Sequence, residues 1–189
     1  MPRPSVLPAI DWSAVFHSGL EFDQWLDQAE SSEHAARMRA DVEELELVDE
    51  ALDYLGELMR NVYVVAIAED WCGDVLRHVP ALERIAKSCD KMQTRYISRE
   101  QHPDVFARFL TNGGEAIPKF IFFNDQWVEY DNWGPMPCPY RRFIARGKAC
   151  GDVASARRDV AKRYEDDPGR IFTFNELLDM VAMGTNEAY

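Results

Sequence analysis

The chain has 189 residues, is 47% hydrophobic and 12% aromatic, and carries a formal net charge of -12. Length and apolar content suit one folded domain and exclude a disordered segment, and no stretch approaches the ~20 apolar residues of a membrane span. The acidic balance argues against nucleic acid and anionic membrane as partners.

Met1 to Ile10 holds Pro2, Pro4 and Pro8 and lacks the apolar run of a signal peptide, so a cytoplasmic location is expected. Residues 1–19 read as an irregular lead-in. Glu21 to Ala29 is a short amphipathic segment with Phe22, Trp25 and Leu26 at helical spacing. Ser31 and Ser32 are candidate N-caps for a longer helix, whose apolar positions recur from Met38 to Met59 with one break near Asp49. Val62 to Ala68 is a nearly continuous β-branched run, as in a strand buried on both faces. A helix follows from Asp74 to Ser88, with Pro80 inside it to bend it. Met92 to Ser98 reads as a strand, and His102-Pro103 opens a helix that runs through Leu110 to Asn112-Gly113-Gly114. Phe120–Phe123 and Trp127–Tyr130 flank Asn124-Asp125-Gln126 as a hairpin with a three-residue turn. Two helices close the chain, Pro139 to Glu165 with a break near Gly147 to Gly151, and Asn175 to Met183.

Charge is unevenly spread along these elements. Residues 1–60 hold fourteen acids against four basic residues, while 141–170 hold nine basic against five acidic. Two readings stay open: oppositely charged solvated faces, or a basic patch for an acidic partner or anionic substrate.

Trp71-Cys72-Gly73-Asp74-Val75 stands where the first apolar strand meets the next helix, and Ile117-Pro118-Lys119 opens a later apolar run. This pairing resembles the thioredoxin superfamily, in which a W-C-x-x-C turn sits opposite a cis Ile-Pro bond. The likeness spans about residues 60–150. It includes Pro80 eight residues after Cys72, His102-Pro103 before a helix, and Gly134, which matches the glycine after the last strand of the thiol groove. Trp71-Cys72-Gly73-Asp74, Thr111-Asn112-Gly113-Gly114, Ile117-Pro118-Lys119 and Trp133-Gly134-Pro135-x-Pro137 are similar to a bacterial group of thioredoxin family proteins that have W-C-G-D and often no second cysteine. The resemblance implies an α/β fold: a thioredoxin-like mixed sheet flanked by helices. Residues 1–60 are expected as a helical N-terminal extension and 61–189 as the thioredoxin-like domain with its C-terminal helices.

The resemblance also names a site. Cys72 is the candidate nucleophile, with Trp71, Gly73, Asp74, Ile117, Pro118 and Gly134 as candidate substrate-binding residues; Trp71, Ile117, Pro118 and Trp133 would form an apolar rim. Val75 replaces the second cysteine, and Ala66 stands where thioredoxins usually bury an aspartate as proton acceptor; its usual lysine partner aligns near Tyr96. One thiol leaves three routes: exchange resolved by an external thiol, exchange resolved by Cys138, or redox-inactive peptide binding in the groove. The preferred reading of Cys138 is a cysteine at a helix start without chemistry. A helix N-terminus favours the Cys72 thiolate, while Glu69, Asp70 and Asp74 oppose it. Lys119 is expected to point to solvent. The partners implied are protein or peptide thiols and disulfides, or a low-molecular-weight thiol. Cys72, Cys89, Cys138 and Cys150 fit no zinc spacing, and His17, His34, His78 and His102 are scattered, so neither metal nor cofactor is expected.

Overall fold

The continuous apolar run at 62–68 becomes the central strand of a four-stranded sheet, in a computed structural model that describes residues 7–185. The elements in chain order are α1 (Trp12–Ser18), α2 (Phe22–Asp27), α3 (Ser32–Glu44), α4 (Asp49–Gly56), β1 (Val62–Ile67), α5 (Gly73–Lys87), β2 (Met92–Ile97), α6 (Pro103–Phe106), β3 (Lys119–Phe123), β4 (Glu129–Trp133), α7 (Cys138–Cys150), α8 (Val153–Asp166) and α9 (Ile171–Thr185). Strand order is β2-β1-β3-β4. β2 runs parallel to β1, β3 antiparallel to β1, and β4 antiparallel to β3. The fold is thus an α/β mixed sheet flanked by helices, of the thioredoxin-like type. Among the described residues no helix is long and apolar enough to cross a membrane.

Helices cover both faces. α5 and α9 pack on one side, with α3 against α5. On the other, α1 lays Phe16 against Tyr63 and Trp127, at ring distances of 5.3 and 5.2 Å, and Trp12 against Phe123 at 4.6 Å. Residues 12–18 are therefore helical rather than an irregular lead-in. Asp11 caps α1 by accepting from Ala14 N–H at 3.0 Å, and the helix is too short for a full period to show in sequence. α3 is capped by Ser31, and the long helical period breaks between Glu44 and Asp49.

Two further expectations are corrected. α6 is a single turn that ends at Phe106, not a helix to Leu110: Arg108 and Phe109 N–H bond three residues back, to Val105 and Phe106. Leu110 then lies 40% exposed. The hairpin turn extends to Val128. Asn124 Oδ1 accepts from Gln126 and Val128 N–H, and Trp127 takes a φ of +60°, which returns its ring onto Tyr63. The last strand is Glu129–Trp133, with a bulge opposite Phe122 and Phe123.

α7 and α8 form a hairpin with a small core of its own, Met136, Tyr140 and Val160. Its two helices cross closely at Gly147, where an added Cβ would lie 2.5 Å from that of Ala156. This hairpin, across the groove from the C-terminal end of β1 and the start of β3, walls the site.

Candidate functional site

β1 delivers the chain to Glu69-Asp70-Trp71, and Cys72 becomes the N-cap of α5 with φ -86° and ψ 125°. The Cys72 thiol is half-buried and donates to the Ile117 carbonyl at 3.6 Å. Burial pushes its pKa up from the usual 9.0; the N–H groups of Val75 and Asp74 pull the other way, the Asp74 charge adds to the rise, and Arg99 opposes it. Of the three acids set against the thiolate in sequence, only Asp74 acts on it. Asp70 accepts from Ser31 N–H at 3.0 Å. Glu69 accepts from Arg99 N–H at 2.9 Å, and the Arg99 guanidinium lies 5.1 Å from the Trp71 ring centre.

Across from the thiol, the Ile117–Pro118 and Gly134–Pro135 peptide bonds are both cis. Gly134 has a φ of +122°, and a Cβ there would sit 2.0 Å from the Pro118 carbonyl oxygen. Only glycine permits both the conformation and the contact. Lys119 lies beneath this loop, 4% exposed, and donates to the Gly134 carbonyl at 3.0 Å. Burial first, and Arg141 second, lower its pKa to about 8. The expected solvent-facing lysine is instead a buried support of the loop.

The thiol opens into a groove of about 720 Å³. Trp71, Cys72, Gly73, Asp74 and Ile117 line it, while Pro118 and Gly134 pack on one another behind it. Thr111 to Gly114 forms a tight turn at its edge, with Asn112 and Gly113 at φ +52° and +74° and Thr111 and Gly114 exchanging both backbone bonds. Trp133 is not on the rim. It is fully buried, stacks on Phe120 at 5.2 Å and donates to Glu176 at 2.6 Å. Cys138 also leaves the groove: its N–H donates to the other Glu176 oxygen, at the start of α7. Cys89 is buried past the end of α5, and Cys150 is exposed at the end of α7.

The far wall comes from residues that no motif had marked. Ile144, Val153 and Val160 supply apolar surface, and Arg141, Lys148 and Arg157 supply positive charge. Tyr164 donates to Asp74 at 3.0 Å. Behind it, His78 Nε2 lies 3.1 Å from the Tyr164 hydroxyl, and His78 Nδ1 lies 2.9 Å from Thr173 Oγ1. Burial drives the His78 pKa well down, so the ring is neutral. With the Tyr164 proton on Asp74, the Nε2 proton points to Tyr164 and Thr173 donates to Nδ1. Burial raises the Asp74 pKa against the Tyr164 bond and the charges of Arg157 and Arg77. A carboxyl that titrates above its ordinary range thus stands two residues from the thiol, on a fixed chain of donors. Among the described residues no three His, Cys, Asp or Glu converge as metal ligands.

A family model described as Thioredoxin matches residues 19–154, so α2 to α4 lie within the match. A protein of unknown function from Pseudomonas aeruginosa has a TM-score of 0.69 at 14% identity, covering 93% of this chain and 99% of its own. An HIV epitope scaffold has a TM-score of 0.62 at 18% identity, covering 79% and 99%. At those identities the likeness is one of fold. No functionally curated protein matches the sequence.

Proposed function

The chain belongs to the thioredoxin family, and from that premise we propose that it is a monothiol exchange protein whose Cys72 forms long-lived mixed disulfides. The observation that carries this is the placement of Cys72: at the first turn of α5, against the Ile117 carbonyl, with a fully buried Val75 where a resolving thiol would stand. We place the chain with the bacterial W-C-G-D group that lacks the second cysteine, in the cytoplasm, with 1–60 as an extension of the 61–189 domain.

The reaction balances without a second protein thiol. Cys72 loses its proton, and its thiolate attacks one sulfur of a disulfide RS–SR′. R′S⁻ leaves and takes up a proton, and Cys72 is joined to R. An external thiolate then attacks the R sulfur, which expels the Cys72 thiolate and restores the protonated thiol. A thiol of raised pKa is a strong nucleophile once ionised and a slow leaving group. The slow departure of Cys72 lengthens the life of the mixed disulfide. Protein or peptide disulfides, or adducts of a low-molecular-weight thiol, are the partners this chemistry takes. Val75 in place of a second thiol, together with Ala66, favours a second reading, a peptide-binding groove without redox turnover.

Mass spectrometry after treatment with a small aromatic disulfide separates the two. We expect one adduct on Cys72 that persists until a thiol is added, formed with a pH midpoint above that of an ordinary cysteine. A Cys72 that stays unmodified at alkaline pH, while exposed Cys150 reacts, overturns the exchange reading and leaves the binding one.

A further inference from the structure

The α7–α8 hairpin turns a set of cations toward the thiol in a chain whose net charge is -12. Arg141 and Lys148 share one face of α7 with Ile144, and Arg157 shares one face of α8 with Val153 and Val160. Among the described residues none of the three cations is in an ion pair. Arg141 has one long contact to the Gly134 carbonyl, 3.4 Å, and Lys148 and Arg157 are exposed. The two acids of the same groove are engaged: Glu115 lies 3.7 Å from Arg99, and Asp74 accepts from Tyr164. Arg157 acts on Asp74 through space, but among the described residues no carboxylate lies within ion-pair distance of any of the three cations.

We propose that the groove takes an extended acidic peptide, with its sulfur-bearing residue at Cys72 and its carboxylates on Arg141, Lys148 and Arg157. This deepens the exchange reading and rests on it for the covalent step only. Arg141 and Lys148 are about 10 Å apart along α7 at 1.5 Å per residue. Side chains on one face of an extended peptide recur about every 7 Å, so acidic residues two positions apart, with the reach of their own side chains, meet both cations while the apolar strip between them receives the backbone and small side chains. Opposite charge also steers encounter with a protein that otherwise repels acidic partners.

The test uses the full chain with Cys72→Ser, which removes exchange and isolates binding. Fluorescent peptides with a central serine and flanks of glutamate, glutamine or lysine are titrated by anisotropy at low and high salt. The acidic peptide is expected to bind about tenfold or more tighter than the neutral one, with the lysine peptide weakest, and high salt should erase most of the difference. Lys148→Glu with Arg157→Glu should reverse the order; both side chains are exposed, so an unchanged unfolding midpoint certifies the fold. Equal binding of all three peptides, or an order untouched by the double variant, overturns the proposal. So does displacement of the acidic peptide by equimolar γ-glutamyl-cysteinyl-glycine, which would make a small anionic thiol the ligand. The exchange reading is judged separately, by the adduct on unmodified Cys72.

Discussion

Two carboxyl groups on one helix, Asp74 half-buried and Glu83 buried, differ in what lies beside them. Asp74, in the first turn of α5, accepts from Tyr164 at 3.0 Å; Glu83, nine residues on, accepts from Tyr96 at 2.7 Å and from Thr94. Burial raises both pKa values, against the hydrogen bonds they receive. Asp74 borders the groove and acts on the Cys72 thiol, whereas Glu83 is 4% exposed between α5 and β2, remote from any described cysteine of the groove. Ala66, which stands where thioredoxins usually bury an aspartate, pairs in register with Tyr96. A shifted pKa alone does not mark a site; contact with the nucleophile and the groove does.

The largest effect expected from breaking this contrast is on stability. Glu83→Ala deprives two buried hydroxyls of their acceptor and leaves a void, and should destabilise the fold by about 3 kcal/mol or more. Tyr164→Phe removes both bonds of one hydroxyl at the groove edge, to Asp74 and from His78, and should cost about 1–2 kcal/mol. Chemical denaturation of both variants checks the order; equal losses would remove the distinction between interior and groove carboxyls.

A subtler effect concerns pH. The folded-state pKa of Glu83 lies above its ordinary value of 4.5, so its protonated form is the one folding favours. That contribution is full below the unfolded value and is lost as pH rises through the folded one. Glu83→Gln keeps an oxygen acceptor and cannot ionise. Its stability relative to the wild type should therefore grow between pH 4 and pH 8, and a relative loss over that range would contradict the burial argument.

The legible parts of the molecule were those encoded locally. β1 announced itself through an unbroken β-branched run, α5 through its apolar period, and the thiol through Trp71-Cys72-Gly73 at their junction. What sequence missed depends on distant partners. Tyr164 meets Asp74 across 90 residues, because the α7–α8 hairpin folds back over the N-terminus of α5. Lys119 and Trp133 alternate with their neighbours as surface or rim residues would, yet the Gly134 carbonyl and Glu176 draw their polar ends inside. The basic stretch 141–170 was visible as composition, but the choice of groove-facing charges required the helix phase. α1 fell below the length at which periodicity speaks.

The smallest effect isolates the groove carboxyl. Asp74→Asn keeps an oxygen for the Tyr164 hydroxyl and removes the one acid whose charge raises the Cys72 pKa. The thiolate fraction at neutral pH should grow, and alkylation of Cys72 by iodoacetamide at pH 7 should accelerate several-fold, since a shift of one pKa unit is tenfold in ionisation. The gain should vanish once the pH is high enough to ionise the thiol fully in both proteins. Glu83→Gln should leave the rate unchanged at every pH, because Glu83 is absent from the groups that act on this thiol. A rate that Asp74→Asn lowers or leaves unaltered at pH 7 would mean that burial alone governs Cys72; the two carboxyls would then be equivalent despite their different surroundings.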